Sequence, residues 1–273
     1  MSLSDFAFNW SLLGPPLLAG LLVVSTHVLL GRKVLERGII FIDLTIAQVA
    51  ALGVIAVGAL GWAPDEGSDW RTQAAAGVAA LLAAALLTWT ERHFRKVQEA
   101  LIGSLYVLTA SVAILVLAGN PHGAEHLQEL LTGQILWVGY HALIPVAVLY
   151  AGILAAWLLW ARTRPALFYF LFALTVTASV QLVGVYLVFA SLILPALASF
   201  GLGEKRGLLL GYGVGAAGYF LGLWLSVPYD LPAGPFIVVM LASLALLAAL
   251  LRRCCRAAES SGSRRGADDQ HAH

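Results

Sequence analysis

The run ALFYFLFALTVTASVQLVGVYLVFASLILPALASF, residues 166–200, decides how this chain must be folded. It is apolar almost throughout, yet as one helix it would measure about 52 Å. The hydrocarbon core of a bilayer is about 30 Å thick, so one crossing with ordinary tilt cannot contain it. Both ends are basic: Arg162 and Arg164 precede the run, and Lys205 and Arg206 follow it. Short basic loops stay on the cytoplasmic side, and a single crossing would leave one of these ends outside. The segment SVQLVGVYLVF supplies a break, with Gln181 and Gly184 in its middle. The expectation is a long helix, a break near Gln181–Gly184 on the outer side, and a shorter helix returning to end at Pro195–Phe200. Broken helices at membrane depth are tolerated where protein or a cavity surrounds them.

The rest of the chain reads as ordinary spans. Apolar blocks occupy Trp10–Leu30, Ile39–Trp62, Gln73–Thr90, Glu99–Ala118, Ile135–Trp160, Leu208–Val227 and Gly234–Leu251. With 60% hydrophobic and 11% charged residues, the chain departs from a soluble domain, which is about half apolar and a quarter charged. The period-2 alternation of an outer-membrane barrel is missing. The reading is an all-α polytopic membrane protein with eight full spans plus one short broken, returning helix. A transmembrane permease domain covers 1–251, and a polar cytoplasmic tail, expected to be disordered, covers 252–273.

Loop charges set the expected orientation. Arg32, Lys33 and Arg37, then Arg92, Arg95 and Lys96, and later Arg252, Arg253 and Arg256 mark one side. Asp65, Glu66, Asp69, Glu125, Glu129 and Asp230 mark the other. The N-terminus is therefore expected outside and the C-terminus inside. MSLSDFAFNW carries no Lys or Arg, so no secretory signal is read there. A net charge of +1 offers no basic face for nucleic acid. Adjacent Cys254 and Cys255 are a poor disulfide and a poor zinc site. Gly211 with Gly215 and Gly218 with Gly222 are small-xxx-small pairs, which let helices approach closely.

Polar residues inside apolar spans carry the chemistry. Asp43, in VLERGIIFIDLTIAQVAALG (34–53), lies about a turn and a half past Gly38. A carboxylate at the centre of a span costs about 3 kcal/mol by insertion scales, and such residues line ion paths. The plainer reading pairs it with Arg37 or Lys33. Gln48 follows five residues on, about 140° round a helix from Asp43. Glu99 opens its span, where a first-turn carboxylate complements the helix dipole. His122 and His126, with Glu125 and Glu129 beside them in NPHGAEHLQE, suit either a metal entry site or a solvated loop helix. His27 and His141 read as packed or interfacial side chains, and His93 as a loop residue.

Four stretches taken in order resemble one family. They are GIIFIDLTIAQVAALG; QEALIGSLYVLTASVAILVLAGNPHGAEHLQELLTGQIL; LVGVYLVFASLILPALASFGL; and YDLPAGPFIVVMLASL. Over about Leu17–Leu251 the chain is similar to the permease subunits of metal-type ATP-binding-cassette (ABC) importers for zinc, manganese and iron. The resemblance implies a homodimer in the bacterial cytoplasmic (inner) membrane. It also implies a separate ABC ATPase that holds the ATP, and a periplasmic or surface-tethered metal-binding protein. Asp43 matches the motif's aspartate, a ligand or gate on the path of a divalent metal ion, and Glu99 matches a family glutamate with a gating role. The motif's histidine falls at Ala47, and an amide such as Gln48 is a poor substitute ligand. The coupling segment that docks on the ATPase would run from Pro195, Ala196, Leu197 and Ser199 through Gly201 to Glu204, Lys205 and Arg206.

No G-x-x-x-x-G-K-[ST] loop appears, so nucleotide chemistry is not expected on this chain. A secondary transporter would show paired broken helices and an internal repeat, and one break with no repeat is seen. An intramembrane protease would need H-E-x-x-H or a second membrane aspartate, and neither is present.

Overall fold

The computed structural model describes residues 10–60, 70–94, 97–117, 131, 133–161, 165–229 and 231–270. His122, His126 and their loop lie outside them, as do Arg95, Lys96, Arg162, Arg164 and the acidic loop 61–69. The helices are α1 (Trp10–Arg37), α2 (Ile42–Ala59), α3 (Trp70–His93) and α4 (Gln98–Leu117). A 3₁₀ turn at Ile135–Trp137 precedes α5 (Tyr140–Ala156), which runs on as a π-turn over Trp157–Ala161. Then come α6 (Pro165–Val183), α7 (Val185–Ser199), α8 (Glu204–Ser226) and α9 (Ala233–Gln270). Among the described residues there is no strand. Most of the expected tail falls beyond Arg253, where side chains are not described.

Among the described residues, seven helices are long and apolar enough to cross a membrane: α1 to α5, α8 and α9. The sequence reading counted eight, with α6 as a full span. The apolar stretch of α6, Leu167–Val183, falls short of that length, as does all of α7. The break itself stands where it was expected. Gly184 sits at φ 81°, ψ 163° between the two helices, a region open essentially to glycine alone. It still closes the backbone on both sides. Its N–H donates to Val180 O at 2.9 Å, and its own carbonyl accepts from Val188 N–H at 3.1 Å. The loop before α5 seals the outside of the break. A Cβ on Gly133 would lie 2.3 Å from the Val183 carbonyl.

Helix α7 is the most enclosed element, packed between α1, α8 and α9. Its small residues Ala190, Ser191, Ala196 and Ala198 are all buried, and they let neighbouring backbones approach. A Cβ on Gly31 of α1 would stand 2.0 Å from Leu192 O. The glycine stripe of α8 works in both directions. Gly211 and Gly215 receive Val28 and Val24 of α1, while Gly218 and Gly222 receive Leu241 and Ile237 of α9. A second group joins through α2, which packs against α3, α4 and α6. Helices α4 and α5 lie outermost, with Val107, Leu115, Val148 and Leu158 exposed. That exposure suits lipid or another membrane subunit.

The turn from α1 into α2 is made by GIIF. Gly38, at φ 70°, donates its N–H to Leu35 O, and Ile39 N–H donates to Val34 O, both at 3.3 Å. That is the Schellman pattern of helix termination, with buried Val34 and Ile39 as its apolar contact. Gly184→Ala is expected to destabilise the protein by about 1–3 kcal/mol through backbone strain. Gly77→Ala, where a Cβ meets nothing within 4 Å, is expected to have no such effect. Thermal midpoints of both variants in one detergent check this.

Candidate functional site

Because the Gly38 turn is short, Asp43 arrives in the first turn of α2. It is 1% exposed, and neither carboxylate oxygen has a hydrogen-bond partner among the described residues. The two cations that could have neutralised it are turned elsewhere. Lys33 bonds Glu36 at 2.8 Å, and Arg37 lies 3.7 Å from Glu91 with its guanidinium 4.3 Å over the Phe168 ring. The shallow surface pair is therefore not formed. The start of α2 carries the positive end of a helix dipole, which offsets part of the cost of a carboxylate there.

Glu99 converges on the same helix start. Its Oε1 accepts the Phe41 N–H at 3.3 Å, capping α2 from the first turn of α4. Its Oε2 is buried without a partner among the described residues. Thr45 ties the two helices again, donating to both Phe41 O and Ile102 O at 3.0 Å. Gln98 donates to the Tyr169 hydroxyl at 2.8 Å, joining α4 to α6. Asp43 and Glu99 thus leave three carboxylate oxygens without partners among the described residues, two in the first turn of α2 and one on the side chain that caps it. Gln48 is also buried, as is Ala47 at 1% exposure. Among the described residues, no three His, Cys, Asp or Glu side chains cluster as a metal site.

The histidines separate by environment. His27 is fully buried in α1. Its Nδ1 faces Val23 O at 2.8 Å, and a carbonyl only accepts, so Nδ1 carries the proton. Nε2 is then an acceptor, 3.2 Å from Ser179 Oγ, which in turn lies 2.5 Å from the Tyr150 hydroxyl. This chain binds α1, α6 and α5, and it makes His27 a packed side chain as expected. His141 is exposed at the start of α5. His93 ends α3, stacked on Trp89 at 4.8 Å. The buried Ser179–Tyr150 link was not read from the sequence. A Tyr and a Ser in apolar runs were its only signal.

The segment from Pro195 to Arg206 is a corner rather than one short helix. Pro195, Ala196, Leu197 and Ser199 form the end of α7, and Glu204, Lys205 and Arg206 open α8. Gly201, at φ 76°, turns between them. Leu197 and Phe200 are 49% and 61% exposed, and Gly201 through Arg206 are exposed except for the half-buried Leu202.

Seven apolar spans around a broken helix pair, with buried carboxylates at one end, define a multi-pass membrane transport subunit. Residues 9–165 and 162–252 match the model of the ABC 3 transport family, and the chain belongs to that family, whose members are membrane permeases of ABC transporters. No curated protein sequence matches. The fold is similar to that of PsaBC from Streptococcus pneumoniae in complex with Fab, with a TM-score of 0.69 and 23% identity over 90% of this chain and 95% of that one. It is also similar to a metal-chelate type ABC transporter in an inward-facing conformation, at TM-score 0.64 and 16% identity over 86% and 85% of the two chains.

Tyr150→Phe removes the donor to Ser179 and keeps the ring. It is expected to lower stability by about 1 kcal/mol, read as a lower thermal midpoint. Asp43→Asn removes an uncompensated buried charge, so its midpoint is expected to stay level or rise.

Proposed function

We propose that this protein is the membrane subunit of an ATP-driven importer for divalent transition-metal ions, zinc or manganese foremost. It works as a homodimer in the bacterial cytoplasmic membrane, with the path between protomers. ATP is bound and hydrolysed by a separate ABC ATPase. A periplasmic or surface-tethered binding protein delivers the ion, with His122 and His126 in the entry loop. The permease domain is 1–251, and 252–273 is its polar cytoplasmic tail.

One observation carries the reading: Asp43 is buried with both oxygens unpartnered, in a family of transport subunits. A carboxylate kept so, with Arg37 and Lys33 engaged elsewhere, is available to a passing cation. In this conformation it is closed off from the surface, as one state of an alternating-access cycle requires. Glu99 gates the site by holding the start of α2, and Gln48 lines the interior further along. A site of two carboxylates binds weakly, which suits release as well as capture. Of the described basic residues near helix ends, Arg32, Lys33, Arg37, Arg92, Lys205, Arg206, Arg252 and Arg253 gather at one end of the bundle, and Arg71, at the start of α3, lies at the other. The positive-inside rule makes the more basic end cytoplasmic. The concavity on α4 lined by Ala100, Gly103, Ser104, Val107, Leu108 and Ser111 offers small residues to a second protomer.

The position four residues after Asp43 on its own face is Ala47, which supplies no second ligand. This favours, as the competing reading, a permease for a substrate other than a bare metal ion, or one without an ATPase. The test is uptake of zinc and manganese by cells expressing the protein with its genomic ATPase partner, wild type against Asp43→Asn. A charge-assisted contact is worth about 1.5–3 kcal/mol, so uptake at limiting metal is expected to fall about ten- to a hundredfold at equal membrane abundance. Normal uptake by the variant would remove Asp43 from the path. Absence of uptake in both would turn the search to other substrates.

A further inference from the structure

The corner between α7 and α8 is bound from within by two arginines that belong to neither helix. A helix leaves its last four carbonyls without intrahelical donors, here those of Ala196, Leu197, Ala198 and Ser199. Ser199 Oγ donates to Ala196 O at 3.0 Å. Phe200 N–H serves Leu197 O at 3.1 Å, and Leu202 N–H serves Ser199 O at 3.2 Å. The carbonyls of Ala198, Phe200 and Leu202 receive side-chain donors instead. Arg252 of α9 takes the first two, Nη1 donating to Ala198 O and Nη2 to Phe200 O at 2.7 Å. Arg32 of α1 takes the third, its Nη2 donating to Leu202 O at 3.3 Å.

Helix α8 is shaped to admit the second of these arginines. A Cβ on Gly207 would stand 1.6 Å from Arg32 Nη1. The planar fork of Arg252 spans two carbonyls that the single ammonium of a lysine would not hold together. Both cations also lie at the negative end of the α7 dipole. On its outer side the same corner is bare, with Leu197, Phe200 and the charged start of α8 exposed.

A four-residue connection with two glycines, Gly201 and Gly203, would by itself absorb a push by changing its backbone angles. We propose that Arg32 and Arg252 clamp this corner so that load applied to its exposed face passes into α1 and α9. The inference rests on the importer reading, in which the load comes from the ATPase. Its route is continuous. Arg32 lies one turn before the end of α1, and the Gly38 turn joins that end to the start of α2, which carries Asp43 and is capped by Glu99. The ATPase therefore moves α7, α1 and α9 as one body, and the start of α2 with its Asp43 moves with α1. Arg32 and Arg252 are positioning residues: they touch neither ion nor nucleotide.

The experiment reconstitutes the permease with its ATPase and binding protein in liposomes, with Zn²⁺ and Mn²⁺ as probes. It measures ATP hydrolysed per ion taken up for wild type, Arg252→Ala, Arg252→Lys, Arg32→Ala and Gly207→Ala. The alanine variants are expected to bind the ATPase and hydrolyse ATP while the ATP per ion rises at least about fivefold, the lower end of ordinary coupling between sites. Arg252→Lys keeps the charge and one donor direction, and is expected to fall between Arg252→Ala and wild type. Gly207→Ala displaces the Arg32 guanidinium without removing charge and is expected to reproduce Arg32→Ala. If Arg252→Ala does not reach the membrane, Arg252→Lys and Gly207→Ala decide the matter. Variants that lose hydrolysis and uptake in proportion, with the ratio of wild type, would overturn the clamp and leave the importer reading standing. A wild type without ATP-dependent uptake of either ion would overturn the importer reading, and this inference with it.

Discussion

Inside hydrocarbon every backbone N–H and C=O must find a partner within the protein, and helix α7 shows how far the chain goes to meet that condition. It begins at a break and ends at a corner, the two places where helical bonding lapses. At the break, Gly184 continues the ladder on both sides through its own N–H and carbonyl. At the corner, Ser199, two backbone amides and two arginines from distant helices cover the carbonyls from Ala196 to Phe200, and Leu202. A helix of fifteen residues can be held in the middle of a membrane bundle because both of its ends are closed in this way. The packing of α1, α8 and α9 around it follows.

Buried polar side chains are treated in two ways. His27, Ser179, Tyr150 and Thr26 are matched donor to acceptor, and they fasten α1 to α5 and α6. Ser191 and Tyr219 do the same between α7 and α8 at 2.8 Å. Asp43 and one oxygen of Glu99 are left without partners among the described residues. Among the described residues the unpartnered buried oxygens of ionisable side chains are those of Asp43 and Glu99. Such local violations mark functional sites. Both carboxylates stand at the start of α2, where the dipole makes that violation least costly.

The break and the end of the returning helix were legible because each depends on residues close in sequence: a glycine, a run too long for one span, basic ends. The span count was less legible. Residues 166–200 divide into helices of nineteen and fifteen residues, and apolar composition alone does not state how far each one reaches. The pairing of Asp43 was not legible either. Arg37 and Lys33 are its neighbours in the sequence, yet Arg37 is drawn to Glu91 and to the rings of Phe168 and Tyr169. Those groups arrive from α3 and α6, far along the chain.

The sequence by itself determined the membrane class, the all-helical architecture, the place of the break and the family, since these follow from hydropathy, local backbone geometry and motif order. Tertiary structure alone decided which buried groups are satisfied. It gave Ser179 to His27, Glu99 to the start of α2, and Arg32 and Arg252 to the corner of α7, and it left Asp43 with nothing. Hydrogen bonds join residues up to 187 positions apart here, and only the packed bundle brings such groups within the 3 Å at which they act.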